Sequence, residues 1–262
     1  MRYAGLVKTQ EKAEIQRRIA AAQSASPGGV LACDGDGTLW SGDVGEDLFH
    51  ALVAKGPFLP AAEAQLRADA KEHGVADDGS AKDVARRIYD AYMAQKFPEE
   101  RVCELMTWAF AGWTRDAVTA FARDVVRDVG LGARLHPEVT ETLAWATEQG
   151  IEVLVVSASP RAVVEEAVRV AGVQASHILA ATPRWSDERM VAAVDRPIPY
   201  GPGKVDAIRR AAGARTLYAA FGDNAFDVAM LREAKIPVAV RPKARLRDRA
   251  AEVPGLVEIA AI

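Results

Sequence analysis

The chain is predicted to be an α/β protein with a Rossmann-like parallel sheet core and an all-helical cap domain inserted after the first strand. Three observations support this. Short apolar runs alternate with helical segments before residue 40 and after residue 135, which implies parallel strands joined by crossover helices. Each of the main runs ends in a polar or glycine-bearing stop. Residues 44–130, by contrast, keep helical spacing and hold no convincing strand. The core is therefore expected at 1–39 and 136–262, and the cap at 40–135.

Residues 9–23 predict a helix packed on the core, ended by Ser24-Ala25-Ser26-Pro27-Gly28-Gly29. Val30-Leu31-Ala32 reads as a buried strand running into Cys33-Asp34-Gly35-Asp36-Gly37-Thr38. The helical stretch that follows is punctuated at Gly56-Pro57, Gly74, Asp77-Asp78-Gly79, Phe97-Pro98 and Gly112. Past His136-Pro137 a helix runs to Gly150, and residues 151–156 form a β-rich apolar run leading into Ser157. Pro160 opens the next helix, through Val163, Val164, Ala167 and Val170 to Gly172. Residues 177–180 predict a strand, and Gly203 opens a helix carrying Val205, Ile208 and Ala212. Residues 217–221 form a further buried strand ending at Gly222-Asp223-Asn224, and residues 237–240 are expected to be the last strand of the main sheet. Right-handed crossovers place every strand end on one edge, so Asp34, Ser157 and Asp223 should converge.

With 262 residues, half of them hydrophobic, the chain can bury a sizeable core. A formal net charge of −3 with scattered Lys and Arg provides no basic field for nucleic acid. No segment approaches the roughly 20 apolar residues that span a membrane. Cys33 and Cys103, the only cysteines, read as small core residues and fit a reduced, cytoplasmic setting better than a disulfide scaffold.

Asp34 and Asp36 stand two apart at a strand end, and would share a face if the chain stayed extended through Gly35. Two close carboxylates repel unless a cation lies between them or one keeps its proton, and a hard, oxygen-seeking ion such as Mg²⁺ removes the conflict. One carboxylate can also attack phosphorus while another shuttles the leaving group's proton. Taken alone, Asp-Gly-Asp-Gly equally suits a surface turn. Phosphoryl transfer further needs donors for the transferred oxygens. Ser157 and the backbone N–H groups after it, including that of Ala158, can hold an oxyanion. Lys204, after Gly201-Pro202-Gly203, can neutralise phosphate. Asp223 can complete a metal's oxygen shell, and Asp227 can orient Lys204 or a metal-bound water. Singly, each of these residues also suits a cap, a turn or a solvated surface.

As an ordered set, Asp34-Gly35-Asp36-Gly37-Thr38, Ser157, Lys204 and Gly222-Asp223-Asn224-Ala225-Phe226-Asp227 resemble the four motifs of the haloacid dehalogenase superfamily, specifically its phosphatases. The resemblance covers about residues 29–245. It implies that Asp34 is the nucleophile forming an aspartyl-phosphate, with Asp36 as general acid and base. It implies Mg²⁺ held by the Asp34 carboxylate, the Asp36 backbone carbonyl and Asp223, with Asn224 and Asp227 in support. Asp36 itself favours phosphatases over dehalogenases, which lack that acid.

The stretch after Asp34 looks most like phosphoserine phosphatase, where an acid nine residues after the nucleophile contacts the substrate's amino group. Asp43 occupies that place with a shorter side chain than the usual Glu, and it equally suits the N-cap of a helix beginning near Val44. Ser157-Ala158-Ser159-Pro160 replaces the family's Ser-Gly-Gly, and Phe226 stands where an Asn often binds substrate. Both changes point to a less polar pocket. Arg67, Arg86 or Arg87 could take a substrate carboxylate or simply form a solvated helix face. Met106, Trp108, Phe110 and Trp113 suit cap core better than a wall for a quaternary amine. The expectation is a Mg²⁺-dependent phosphomonoesterase acting on a small phosphorylated metabolite, phosphoserine-like or an amino-alcohol phosphate. A phosphotransferase or mutase using the same aspartyl-phosphate is the nearest alternative, and a non-catalytic binding module on the same fold is another. Oligomeric state is not readable from the chain.

Overall fold

The computed structural model describes residues 7–262. Its main sheet has seven strands in the order β1-β9-β8-β7-β2-β3-β4. These are β1 (Lys8–Gln10), β2 (Val30–Asp34), β3 (Glu152–Pro160), β4 (His177–Ala181), β7 (Leu217–Gly222), β8 (Ile236–Ala239) and β9 (Val257–Ile259). Every pairing in it is parallel. β2 lies near the middle, and its side chains alternate between two apolar layers. Leu31 and Cys33 join Val153 and Val155 on one face, while Val30 and Ala32 join Leu154 and Val156 on the other.

Helices cover both faces. α1 (Lys12–Ala25) buries Ile15 and Ile19, and α2 (Val44–Lys55), α3 (Pro60–Glu72), α4 (Ala81–Met93), α5 (Glu99–Trp108) and α6 (Arg115–Asp128) form the helical insertion. α7 (Pro137–Glu148), α8 (Arg161–Ala171), α9 (Pro202–Ala212), α10 (Val228–Glu233) and α11 (Ala244–Asp248) complete the set. α1 packs against α7 and β7, on the core as its apolar spacing implies. The chain leaves the core beside the point where it returns: the His136 amide donates to the Leu39 carbonyl at 3.1 Å and the Ser41 amide to the Arg134 carbonyl at 2.8 Å.

Register explains why the strand ends meet. Asp34 pairs with Val156 and Cys33 with Phe221, so Ser157 and Asp223 both emerge beside Asp34.

Several elements differ from the sequence reading. The first helix starts at Lys12 rather than residue 9, because Lys8–Gln10 is drawn into the sheet beside β9. Residues 237–240 are not the last strand of the sheet, since β9 lies outside β8. Both extra strands are three residues long, too short for a two-residue alternation to show. A separate antiparallel hairpin, β5 (Pro183–Ser186) and β6 (Arg189–Val194), was also unforeseen. Its turn uses Asp187 and Glu188, both at positive φ, where glycine or asparagine would have signalled a hairpin. The hairpin is stitched to the insertion: Gly112 donates to the Met190 carbonyl at 2.7 Å, and Met190 to that of Trp113 at 3.0 Å. Arg196 adds an ion pair at 2.6 Å to Glu104, a buried residue of α5.

The loop after β8 is anchored by Arg241, whose guanidinium donates to both oxygens of buried Glu138 at 2.8 and 3.3 Å. Burial alone would raise the Glu138 carboxyl, but the Arg241 hydrogen bonds outweigh it and hold the group below the usual range. A depressed carboxylate contributes stability that is complete above its unfolded value, near pH 4.3, and is lost as pH falls through the folded value. Glu138→Gln should therefore cost about 1–2 kcal/mol at pH 7. In thermal melts from pH 7 to pH 3, the gap between wild type and variant should close below about pH 4.3. A gap independent of pH would show that the pair is not the source.

Candidate active site

The loop after β2 is shaped by two glycines. The chain turns at Gly35, whose carbonyl accepts from the amides of Leu39 at 2.8 Å and Thr38 at 3.2 Å. Gly37 has φ +80°, and a Cβ there would lie 2.1 Å from Asp223 Oδ2, so only glycine fits. Because the backbone does not stay extended through Gly35, Asp34 and Asp36 take separate partners while lining the same cavity. Asp34 Oδ2 accepts from Thr38 Oγ1 at 3.1 Å, and Asp34 Oδ1 from Lys204 Nζ at 2.5 Å. Asp36 Oδ1 accepts from the Val44 amide at 2.7 Å, at the start of α2, and from Trp40 Nε1 at 2.9 Å. Its Oδ2 accepts from the hydroxyls of Ser159 at 2.7 Å and Ser157 at 3.2 Å.

Lys204 stands in the first turn of α9 and is 3% exposed. Its ammonium is shared, since it also donates to Asp227 Oδ1 at 2.5 Å. Asp227 Oδ2 accepts from the amides of Asp223 and Asn224, each at 3.0 Å, so one side chain fixes both the lysine and the turn after β7. Asn224 closes that turn by accepting from the Ala225 amide at 2.8 Å. Gly222 leaves the room for it, because a Cβ there would sit 2.5 Å from the Asp227 Cβ.

Asp34, Asp223 and Asp227 are all buried and offer oxygens within 4.8 Å of one another. Lys243 Nζ lies 2.8 Å from Asp223 Oδ2, yet that oxygen accepts no hydrogen bond, so the contact is an ion pair without hydrogen-bond alignment. Burial first, and Asp227 next, raise the Asp34 carboxyl well above its ordinary value, against the pull of Lys204. The same two causes push Asp223 up to about 6. Burial opposes the Lys204 charge, but Asp227 and Asp34 together raise its pKa. Three buried carboxylates, Asp34, Asp223 and Asp227, thus face two ammoniums, Lys204 and Lys243. That donor set fits a hard divalent cation.

The cavity above these groups has a volume of about 90 Å³, room for a small molecule. Asp43, Ser157, Ala158 and Phe226 all line it. Asp43 also caps α2, its Oδ1 accepting from the Glu46 amide at 2.9 Å, so the capping reading holds while the side chain lies on the cavity wall. Burial first, and Asp36 next, raise its carboxyl well above the usual range.

The three cap arginines do not reach the cavity. Arg67 binds Glu63 and the carbonyls of Asp77 and Gly79, Arg87 binds the Ala76 carbonyl and Asp78, and Arg86 pairs with Asp83. Arg67 and Arg87 hold the loop between α3 and α4 and Arg86 lies on an exposed helix surface, so of the two readings the helix-face one fits them. Of the aromatic and methionine cluster, Met106 lines the cavity, while Trp108 and Phe110 are insertion core.

Lys243, Thr38, Trp40, Ser159, Glu46 and Glu99 were not foreseen at the site. Thr38 and Ser159 sit inside the motif segments, so their place was readable. Lys243 could have been found from topology, because the end of β8 shares an edge with β2 and β7. Glu46 and Glu99 carry no local signal, since the fold of the insertion alone brings them in.

No curated protein matches the chain in sequence. Its structure is similar to that of a protein of unknown function from Bordetella pertussis Tohama I, at TM-score 0.68 and 21% identity, covering 88% of this chain and 97% of that one. A functionally unknown protein from Anaerococcus prevotii aligns at TM-score 0.67 and 15% identity, covering 96% and 92%. A phosphoserine phosphatase solved with substrate bound aligns at TM-score 0.52 and 15% identity, covering 87% and 92%. The family model of the haloacid dehalogenase-like hydrolases matches residues 31–232. The chain belongs to the haloacid dehalogenase-like hydrolases and has a fold similar to that of phosphoserine phosphatase.

Proposed function

We propose that this hydrolase is a Mg²⁺-dependent phosphomonoesterase that releases phosphate from a small phosphorylated metabolite, phosphoserine-like or an amino-alcohol phosphate, through an aspartyl-phosphate. The observation that carries the reading is the Asp34 carboxylate, buried at a strand end with one oxygen on Lys204 and the other on Thr38, beside Asp36 at the same cavity.

Asp34 attacks phosphorus in line and expels the alkoxide, and Asp36 gives that oxygen its proton. Asp36 then takes a proton from the water that attacks the phosphorylated Asp34, so phosphate leaves and both side chains return to their starting state. The hydroxyls of Ser159 and Ser157 hold Asp36 in place, and on substrate binding the Ser157 hydroxyl and the Ala158 amide serve the transferred oxygens. Lys204, oriented by Asp227, offsets the charge that develops on those oxygens. Mg²⁺, held by Asp34, the Asp36 carbonyl and Asp223, would supply the remaining neutralisation of the phosphoryl group. Residues 40–135 act as the cap that closes the cavity from water. Free Cys33 and Cys103 suit a reducing compartment, and we assign the enzyme to the cytoplasm on that ground.

A panel of phosphomonoesters assayed with and without Mg²⁺ tests the reading. Free phosphate should form without any organic acceptor, and Asp34→Asn should lower turnover by about 10³-fold or more. Strict dependence on an acceptor would make the enzyme a phosphotransferase, and undiminished release by Asp34→Asn would remove the nucleophile.

A readout separate from turnover concerns Gly37. Gly37→Ala drives a methyl group against Asp223 at a positive φ, a conformational strain of about 1–2 kcal/mol before the contact is counted. The variant should fold with a lowered Tm and lose the Mg²⁺-induced rise in Tm that the wild type shows. An equal rise in both proteins would place the metal elsewhere.

A further inference from the structure

Besides Asp34 and Lys204, the cavity is lined by further acids and by aromatic rings. Seven carboxylate side chains line the whole cavity against two ammoniums, and no guanidinium lines it among the described residues. Both ammoniums are already committed, Lys204 to Asp34 and Asp227, and Lys243 to Asp223. Lys204 is buried beside Asp34, where the transferred group would use it, while Lys243 is half exposed and stands near Tyr92 and Glu99 with Asp223 as its ion-pair partner.

The insertion and the loops after β6 and β7 add Asp43, Glu46 and Glu99 to the lining, with the rings of Tyr92, Tyr200 and Phe226, and this part is available to a leaving group. Tyr200 and Phe226 pack at 4.8 Å between ring centroids. Arg245 approaches from outside the lining, but Glu99 takes it at 3.2 Å while also accepting from the Tyr92 hydroxyl at 3.3 Å. A substrate carboxylate entering here would meet acids with no cation to spare, and close like charges of this kind are strongly disfavoured. An ammonium would meet Glu46 and Asp43, each able to accept further hydrogen bonds, and three aromatic residues of the lining.

We propose that the leaving group is a cationic amino alcohol without a carboxylate, held by Glu46 and Asp43 against the Tyr92, Tyr200 and Phe226 rings, and that Glu46 sets the discrimination against phosphoserine. This rests on the phosphatase reading of the same site. Glu46 is the specific addition, since it stands one turn into α2, on the helix that Asp43 caps, and is half-buried where the ring of Tyr92 also faces the cavity. Phe226 contributes a face and no donor, so it favours alkylammonium over a polar acid group.

The experiment compares phosphoethanolamine, phosphocholine, O-phosphoserine and p-nitrophenyl phosphate as substrates for wild type and Glu46→Gln. Wild type should prefer at least one of the two cationic esters over O-phosphoserine by about tenfold or more in kcat/KM, corresponding to about 1.4 kcal/mol. Glu46→Gln should lower the ratio of cationic ester to aryl ester by a similar factor. Phosphocholine leading phosphoethanolamine would place the rings foremost, and the reverse order the carboxylates, both within the proposal. Equal or better use of O-phosphoserine, including through a Lys243 turned towards its carboxylate, would overturn it, as would a ratio unmoved by Glu46→Gln. Calorimetric binding of the same esters to the Asp34→Asn protein separates the two readings. Tighter binding of a cationic ester than of O-phosphoserine without any turnover in wild type would sink the phosphatase and keep the pocket. Equal binding, or no binding of either, would sink the pocket.

Discussion

One buried ammonium organises the catalytic end of this molecule. Lys204 is shared between Asp34 and Asp227 at 2.5 Å each, so a single positive charge serves two carboxylates while Asp223 stands close by. Removing such charges from water costs several kcal/mol per ion, a cost offset only by closely placed partners. Strand register is what brings them together. β2 and β7 pair directly, and the first turn of α9 brings the lysine across to both. Asp227 connects the two requirements, because it bonds Lys204 with one oxygen and the backbone after β7 with the other.

The bend at Gly35 gives Asp34 and Asp36 separate surroundings. Asp34 stays in the buried, lysine-paired end, where burial and Asp227 raise its carboxyl. Asp36 is turned towards hydroxyls, an indole and the start of α2, which places it between the strand ends and the insertion. Two residues apart in sequence, they occupy environments of different polarity, a common means of giving like groups unlike roles.

The sheet and its active edge were legible because long apolar runs announce buried strands and because Asp34, Ser157, Lys204 and Asp223 lie at strand ends or connections. β1 and β9 were not, since three residues carry no period. The β5–β6 hairpin was hidden by an Asp187-Glu188 turn that sequence rules do not associate with positive φ. Of the rest of the cavity wall, Asp43 was legible because its distance from Asp34 is short and local, and Phe226 because it lies inside a motif segment. Glu46, Glu99 and Tyr200 come from three separated segments, and only tertiary packing makes them neighbours. Arg67 and Arg87 stayed open between two readings for a related reason: helical spacing shows that a residue faces outward, and not whether it faces a cavity or a loop in need of donors.

The hairpin has a mechanical consequence. The insertion is continuous with the core through the paired segments at Leu39 and His136, and β6 fastens it again through Gly112, Trp113 and the Arg196–Glu104 pair. A roof hinged along one line can swing, whereas one anchored along two lines can only flex between them. Admission of substrate then falls to the side chains at the cavity's rim rather than to travel of the whole roof.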